Sequence, residues 1–231
     1  MIAVTALNQY YSGSHILRDV SISPAAGKIT GLLGRNGVGK TTLLQCVLGH
    51  LAISSGDITL GDQSVSALSP EARASLGIAL VPQGRMIFPH LTVSENLQVA
   101  LAARVDRKRQ VPDIVYALFP VLHDMGERLG GDLSGGQQQQ LAIARALVQE
   151  PKVLLLDEPC EGIQPSIVEE IGRSIRLLNR ELGMTILLVE QRVGFVRRTA
   201  DAFYIMERGG ICAQGQIDAL SDELVNQYLR V

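Results

Sequence analysis

The sequence predicts an α/β fold built on a largely parallel sheet, and three observations carry that prediction. Apolar runs bounded by charge or glycine recur late in the chain as "KVLLLDEP" (152–159), "MTILLVEQ" (184–191) and "DAFYIMERGG" (201–210). Continuous apolar strands of this kind suit a parallel sheet covered on both faces. Helical stretches, notably "SIVEEIGRSIRLLNREL" (166–182), separate them, as α/β alternation requires. Nearer the start, "KITGLLG" (28–34) reads as a short strand running into glycines, and "TTLLQCVLGH" (41–50) as a helix closing near Gly49.

The remaining elements follow in order. "GDITLGDQSV" (56–65) and "GIALVPQ" (77–83) carry short strand signals with turns. From about residue 84 to about residue 149 helical patterns dominate, including "SENLQVALAAR" with Ser94 as its expected cap and "VPDIVYALFPVL" (111–122). This middle part reads as a helical insertion into one domain spanning residues 1–231, whose core is about 1–83 plus 150–231. "DELVNQYLRV" (222–231) reads as a short surface helix. No internal repeat and no Pro/Ser-rich linker divides the chain.

Composition narrows the function. At 231 residues, 46% hydrophobic and 19% charged, the chain has material for one substantial core and reads as an ordinary soluble globular protein. A net charge of −2 offers no global positive field for nucleic acid or anionic lipid. The one basic cluster, Arg104, Arg107, Lys108 and Arg109, lacks interleaved aromatics for stacking bases and reads as a solvated loop. Three scattered cysteines have neither disulfide nor zinc spacing, which fits a reducing cytosol. No secretory signal is evident, and "TTLLQCVLGHLAISSG", an uncharged stretch of 16 residues, falls short of the roughly 20 apolar residues a membrane span needs. If the protein works at a membrane, another chain crosses it.

Two motifs carry chemistry. "GRNGVGKTT" (34–42) satisfies G-x-x-x-x-G-K-[ST] between a strand and a helix, the context in which a phosphate-binding loop is credible. Gly34, Gly37 and Gly39 let backbone N–H groups, with those of Arg35, Asn36 and Val38 between them, converge on phosphate oxygens. Lys40 supplies a compact cation for the β- and γ-phosphates, Thr41 a hydroxyl for Mg²⁺, and Thr42 reaches the α-phosphate side. The second motif, "VLLLDEP" (153–159), ends an apolar strand in two acids whose side chains point different ways. Asp157 is expected to hold Mg²⁺, and Glu158 to take a proton from the water that attacks the γ-phosphate.

A third segment, "LSGGQQQQ" (133–140), puts four glutamines behind a Ser-Gly-Gly turn and runs into "LAIARALVQE", where Leu141, Ala144, Arg145 and Val148 keep helical spacing. The glutamines are therefore the start of a helix, and the turn would let an anion approach its unpaired N–H groups.

A phosphate loop, then "LSGGQ", then "LLLDE" resembles the ATP-binding cassette (ABC) family over nearly the whole chain, from "ILRDVSI" (16–22) to "GGICAQG" (209–215). The resemblance implies a P-loop, RecA-like ATPase core with an N-terminal antiparallel β subdomain and a helical signature subdomain. It implies ATP and Mg²⁺ as ligands, and a role for Ser134, Gly135, Gly136 and Gln137 on the γ-phosphate of ATP held by an opposing subunit. Gln138, Gln139 and Gln140 are then expected on the helix surface. Tyr11 matches the aromatic that stacks on adenine, with Tyr10 beside it leaving the register open. Gln83 matches the glutamine that touches Mg²⁺ and the attacking water while joining core to helical subdomain.

Two departures stand out. "EGIQ" replaces the common "SALD", so Gln164 stands where an aspartate is usual, and "LLVEQRV" puts Gln191 where most cassettes have a histidine. Glutamine donates a hydrogen bond but carries no charge and shuttles no proton, so Gln191 is expected to position rather than to act as the base. "VEQ" resembles the ATPase subunits of importers for branched-chain amino acids and small amides. "VPQGRMIFPHLTV", "LSGGQQQQLAIARAL" and "EGIQPSIV" look most like the branch that serves urea.

The partners implied are a second ATP-binding subunit, sister or self, and membrane-spanning permease subunits at the cytoplasmic face of the inner membrane. Neither nucleic acid nor the transported solute would touch this chain. The rival readings are a non-transport cassette ATPase, which usually carries two cassettes or a coiled-coil insertion, and an unrelated phosphate-loop kinase or GTPase, which should lack "LSGGQ".

Overall fold

The computed structural model describes residues 1–102, 104, 106, 108 and 110–229. The chain opens with β1 (Ile2–Tyr11) and β2 (Ser14–Ile22), an antiparallel hairpin. Its two-residue loop, Ser12 and Gly13, has positive φ at both positions, the backbone that matches the right-handed twist of the flanking strands. Then come β3 (Ile29–Leu33), α1 (Lys40–Leu48), β4 (Ser55–Leu60), β5 (Gln63–Ser64), α2 (Pro70–Ser75) and β6 (Ile78–Val81). A helical stretch follows, with α3 (Val93–Ala102), α4 (Asp113–Leu118), α5 (Pro120–Asp124) and α6 (Gly135–Leu147). The chain continues through β7 (Val153–Asp157), α7 (Pro165–Leu182), β8 (Thr185–Glu190), α8 (Val193–Thr199), β9 (Ala202–Glu207), β10 (Gly210–Gln216) and α9 (Asp222–Tyr228).

Two sheets organise these elements. The larger has the order β10-β9-β3-β8-β7-β6, parallel from β9 to β6 with β10 antiparallel at its edge. The smaller, β2-β1-β4-β5, is antiparallel. Alternation along the central strands explains why their sequences are apolar throughout. Leu154 and Leu156 of β7, with Ile186 and Leu188 of β8, face a core shared with α7, α8 and the helical stretch. Leu155, Leu187 and Val189 face the other way, onto α1 and the antiparallel sheet, where Leu43, Leu44, Val47, Leu17 and Ile58 close the second core. Both faces are dry, so no polar alternation survives. Helix α7 turns Val168, Ile171, Ile175 and Leu178 inward at three- and four-residue spacing.

Three expectations are corrected. Helix α3 is capped by Thr92, not Ser94: the Glu95 N–H donates to Thr92 Oγ1 at 3.1 Å, and the Thr92 N–H donates to Glu95 Oε2 at 2.8 Å. This reciprocal box satisfies two orphan donors that Ser94, two residues later and already inside the helix, is placed too late to serve. Gln139 and Gln140 are buried rather than on the surface, because α6 lies between α3 and α7; Gln140 Nε2 donates to Glu170 Oε1 of α7 at 2.7 Å. Arg104 is also buried rather than solvated. Its guanidinium donates to Asp106, Glu150 and the Val148 carbonyl at the end of α6, a favourable place for a cation. Lys108 is exposed, and Arg107 and Arg109 lie outside the described residues.

Candidate active site

The carboxyl ends of β3, β7 and β8 lie side by side in the larger sheet, where open α/β sheets place their ligand crevice. The loop of residues 34–39 joins β3 to α1 there. Gly37 (φ 78°) and Gly39 (φ 112°) adopt left-handed backbone, and Gly39 is the N-cap of α1 with no side chain to cap it. The first N–H groups of α1 are therefore left for a ligand rather than for the protein. Gly34 serves packing, since a Cβ there would stand 2.7 Å from the Met206 carbonyl oxygen.

Lys40 is 4% exposed. Its Nζ donates to the carbonyls of Gly34 (2.8 Å) and Arg35 (2.9 Å) and stands 3.5 Å from Glu158 Oε1. Thr41 Oγ1 donates to Asp157 Oδ2 at 3.0 Å. Asp157 Oδ1 is buried with no partner. Burial pushes the Asp157 carboxyl above its ordinary value, with the nearby Glu158 charge adding and the Thr41 hydrogen bond opposing. A buried carboxylate oxygen with nothing to bind fits a hard cation, and Mg²⁺ characteristically takes one or two carboxylates and completes its shell with water and phosphate oxygens.

Glu158 follows in left-handed backbone (φ 47°), a strained conformation for a non-glycine residue that persists only when its surroundings hold it. Gln191, just past the end of β8, donates from Nε2 to Glu158 Oε1 at 2.8 Å and also to Asn36 Oδ1. The sequence places these residues 33 positions apart; β7 and β8, parallel neighbours, bring them together. Gln83 lies beyond β6, and its Nε2 donates to Glu161 Oε2 at 3.0 Å.

Tyr11, Asn36, Gly37, Gly39, Lys40, Thr41, Thr42, Gln83 and Glu158 line one cavity of about 680 Å³. Ser14 and Ile16, which the sequence did not single out, complete its wall beside Tyr11. The side chains of Arg35 and Val38 are not part of the lining; Val38 packs on the second core. The structure also separates the two tyrosines. Tyr10 stacks on His15 with ring centroids 4.2 Å apart, which leaves Tyr11, 59% exposed, as the aromatic that faces the cavity.

Ser134, Gly135, Gly136 and Gln137 are not part of that cavity. They begin α6 with a complete capping box: the Gln137 N–H donates to Ser134 Oγ at 3.3 Å, and the Ser134 N–H to Gln137 Oε1 at 2.9 Å. Arg85, on the connection that also carries Gln83, donates to Gln138 Oε1 at 2.9 Å and stands against Gly135. Gly136 faces Ile167 of α7 so closely that a Cβ would overlap its side chain. Gln164 is the exposed N-cap of α7 and makes no capping bond through its side chain.

Residues 17–161 match the family model described as ABC transporter. The chain belongs to this family. It is 40% identical over 213 residues to the high-affinity branched-chain amino acid transport ATP-binding protein BraG of Pseudomonas aeruginosa, covering 91% of each chain. It is 36% identical over 233 residues to the lipopolysaccharide export system ATP-binding protein LptB of Escherichia coli, covering 98% of this chain and 96% of LptB. The fold matches the ADP conformation of MJ1267, an ATP-binding cassette of an ABC transporter, with a TM-score of 0.83 at 28% identity, covering 98% of this chain and 97% of that one. This ABC protein is thus the ATP-hydrolysing subunit of a transporter. Among its described residues no helix is long and apolar enough to cross a membrane.

Proposed function

We propose that this ATPase powers an importer of small amides or branched-chain amino acids, working as one of two opposed cassettes beneath permease subunits at the cytoplasmic face of the inner membrane. The observation that carries the hydrolytic half is the convergence of Lys40, Gln191 and the strained Glu158 around one carboxylate oxygen. The loop amides and Lys40 hold the phosphates, and Tyr11 stacks on the base. Glu158 accepts the proton of the attacking water. Gln191 cannot take that proton, so it aims Glu158 through its amide N–H. Thr41, Asp157 and Gln83 are the residues that would hold Mg²⁺, which, when bound, neutralises charge spreading over the phosphoryl group. Ser134, Gly135, Gly136 and Gln137 complete the site of the opposing cassette.

BraG supports the branched-chain amino acid reading, and the likeness of residues 81–93, 133–147 and 161–168 to the urea branch supports the amide reading. The likeness to LptB favours a second reading, export. Uptake of labelled leucine and labelled urea, compared in cells with and without the chain, separates them. Loss of either uptake supports import and names the solute; unchanged uptake of both, with an envelope defect, replaces import by export.

A further inference from the structure

Glu190 is the last residue of β8, 3% exposed, at the end of a strand that is otherwise apolar after Thr185. Burial pushes its carboxyl above the ordinary value, while backbone donors pull the other way. Its Oε1 accepts the Cys160 N–H at 3.1 Å; its Oε2 accepts the N–H groups of Gln191 at 3.2 Å and Arg192 at 3.4 Å. One carboxylate thus ties together the segments that carry Glu158 and Gln191. The parallel ladder does not reach this far. Its last backbone link between the two strands is the Glu158 N–H to the Val189 carbonyl, at 2.9 Å, and the Glu190 side chain supplies the next rung.

The resulting ring is closed. From Glu158 the chain passes through Pro159 to Cys160, across to the Glu190 carboxylate, back to the Gln191 backbone, and through the Gln191 amide to Glu158 Oε1. Packing alone would be served better by an aliphatic side chain, because burying a carboxylate is costly unless it is fully hydrogen-bonded. The backbone partners are all donors, which an acceptor-only carboxylate satisfies and a glutamine, with its own NH₂ group, does not.

We infer that Glu190 is a positioning residue, which sets the Glu158–Gln191 geometry from behind without touching substrate. The inference rests on the assignment of Glu158 as the base. It is tested by Glu190→Gln and Glu190→Asp in the full chain, with ATP turnover, affinity for a fluorescent ATP analogue and melting temperature measured on each. Turnover is expected to fall on the order of tenfold or more, because small misplacements of a reacting group are costly, while analogue affinity stays within about twofold. Adding Gln191→Ala to Glu190→Gln should lower turnover by less than the product of the single losses, since both act on one geometry. Should Glu190→Gln fail to fold, Glu190→Asp, which keeps the charge on a shorter arm, must show the same split.

Turnover within twofold of the parent, with only a lower melting temperature, would make Glu190 a structural residue and overturn the inference. So would single losses that multiply in full. Glu158→Gln, assayed beside them, separates the failures. Retained turnover in Glu158→Gln removes the base assignment and this role with it, whereas a dead Glu158→Gln beside an unaffected Glu190→Gln removes the role of Glu190 alone.

Discussion

Two helices in this chain begin with a glycine-rich turn, and they begin in opposite conditions. Helix α1 starts at Gly39 with no side-chain cap, and the residues around its first turn line a cavity with Lys40, Thr41, Glu158 and Tyr11. Helix α6 starts at an exposed Ser134, whose capping box engages the N–H groups of Ser134 and Gln137 but not those of Gly135 and Gly136, and it has no share in that cavity. The first is half of a site with its chemistry in place. The second is a pre-ordered surface, proposed above to act on the phosphate of an opposing cassette. On that proposal, a cassette that keeps these halves apart works only when two chains face each other.

The largest effect belongs to the first helix. Replacing Glu158 by Gln removes the proposed base while keeping shape, so steady-state ATP turnover should fall by about 10²–10⁴-fold, with affinity for ATP retained. Mild loss on Glu158→Gln would move the base elsewhere in the cavity. The second prediction moves to α6. In the Glu158→Gln background, where ATP is bound but not consumed, light scattering should show an ATP-dependent dimer that Ser134→Arg abolishes. Ser134→Ala is the control, because it removes the cap at a cost of about 1 kcal/mol without adding bulk or charge. Dimerisation that survives Ser134→Arg would end the claim that α6 faces an opposing site; a chain that binds ATP yet stays monomeric would require a sister subunit to supply the opposing face.

Gln191 lies between these extremes. Its amide makes one hydrogen bond to Glu158, worth about 1 kcal/mol net and somewhat more to a charged group, so Gln191→Ala should lower turnover about tenfold, far less than Glu158→Gln. Equal losses in the two variants would mean that Glu158, like Gln191, only orients.

The contrast also shows what could be read from the sequence. The parallel sheet was legible because β7 and β8 are apolar on both faces and are bounded by charge or glycine. The place of the glycine-rich loop was legible because its motif is expected between a strand and a helix, and residues 34–39 do join β3 to α1. Position in three dimensions was not legible for residues whose meaning depends on a neighbour strand or helix. Glu190 looks like any charge ending an apolar run; only the pairing of β7 with β8 reveals that it reaches Cys160. Gln139 and Gln140 read as surface because they are polar, and they are buried because α6 has helices on two sides. Tyr10 and Tyr11 could not be told apart until His15, across the hairpin, was seen to occupy Tyr10.

The smallest effect is expected at Gly136, and it separates two reasons for a glycine. If Gly136 only clears space for an anion, Gly136→Ala should spare stability and impair the ATP-dependent dimer. The structure gives it a different neighbour, Ile167 of α7, against which an added Cβ overlaps. Overpacking of this kind costs about 1–3 kcal/mol, partly offset by the gain of up to about 1 kcal/mol from replacing glycine in a helix. A net loss near 1 kcal/mol lowers the melting temperature by about 2–4 °C in a chain of this size. Gly136→Ala is therefore expected to lower the melting temperature whatever its effect on the dimer, and an unchanged melting temperature with a lost dimer would hand Gly136 to the phosphate rather than to α7.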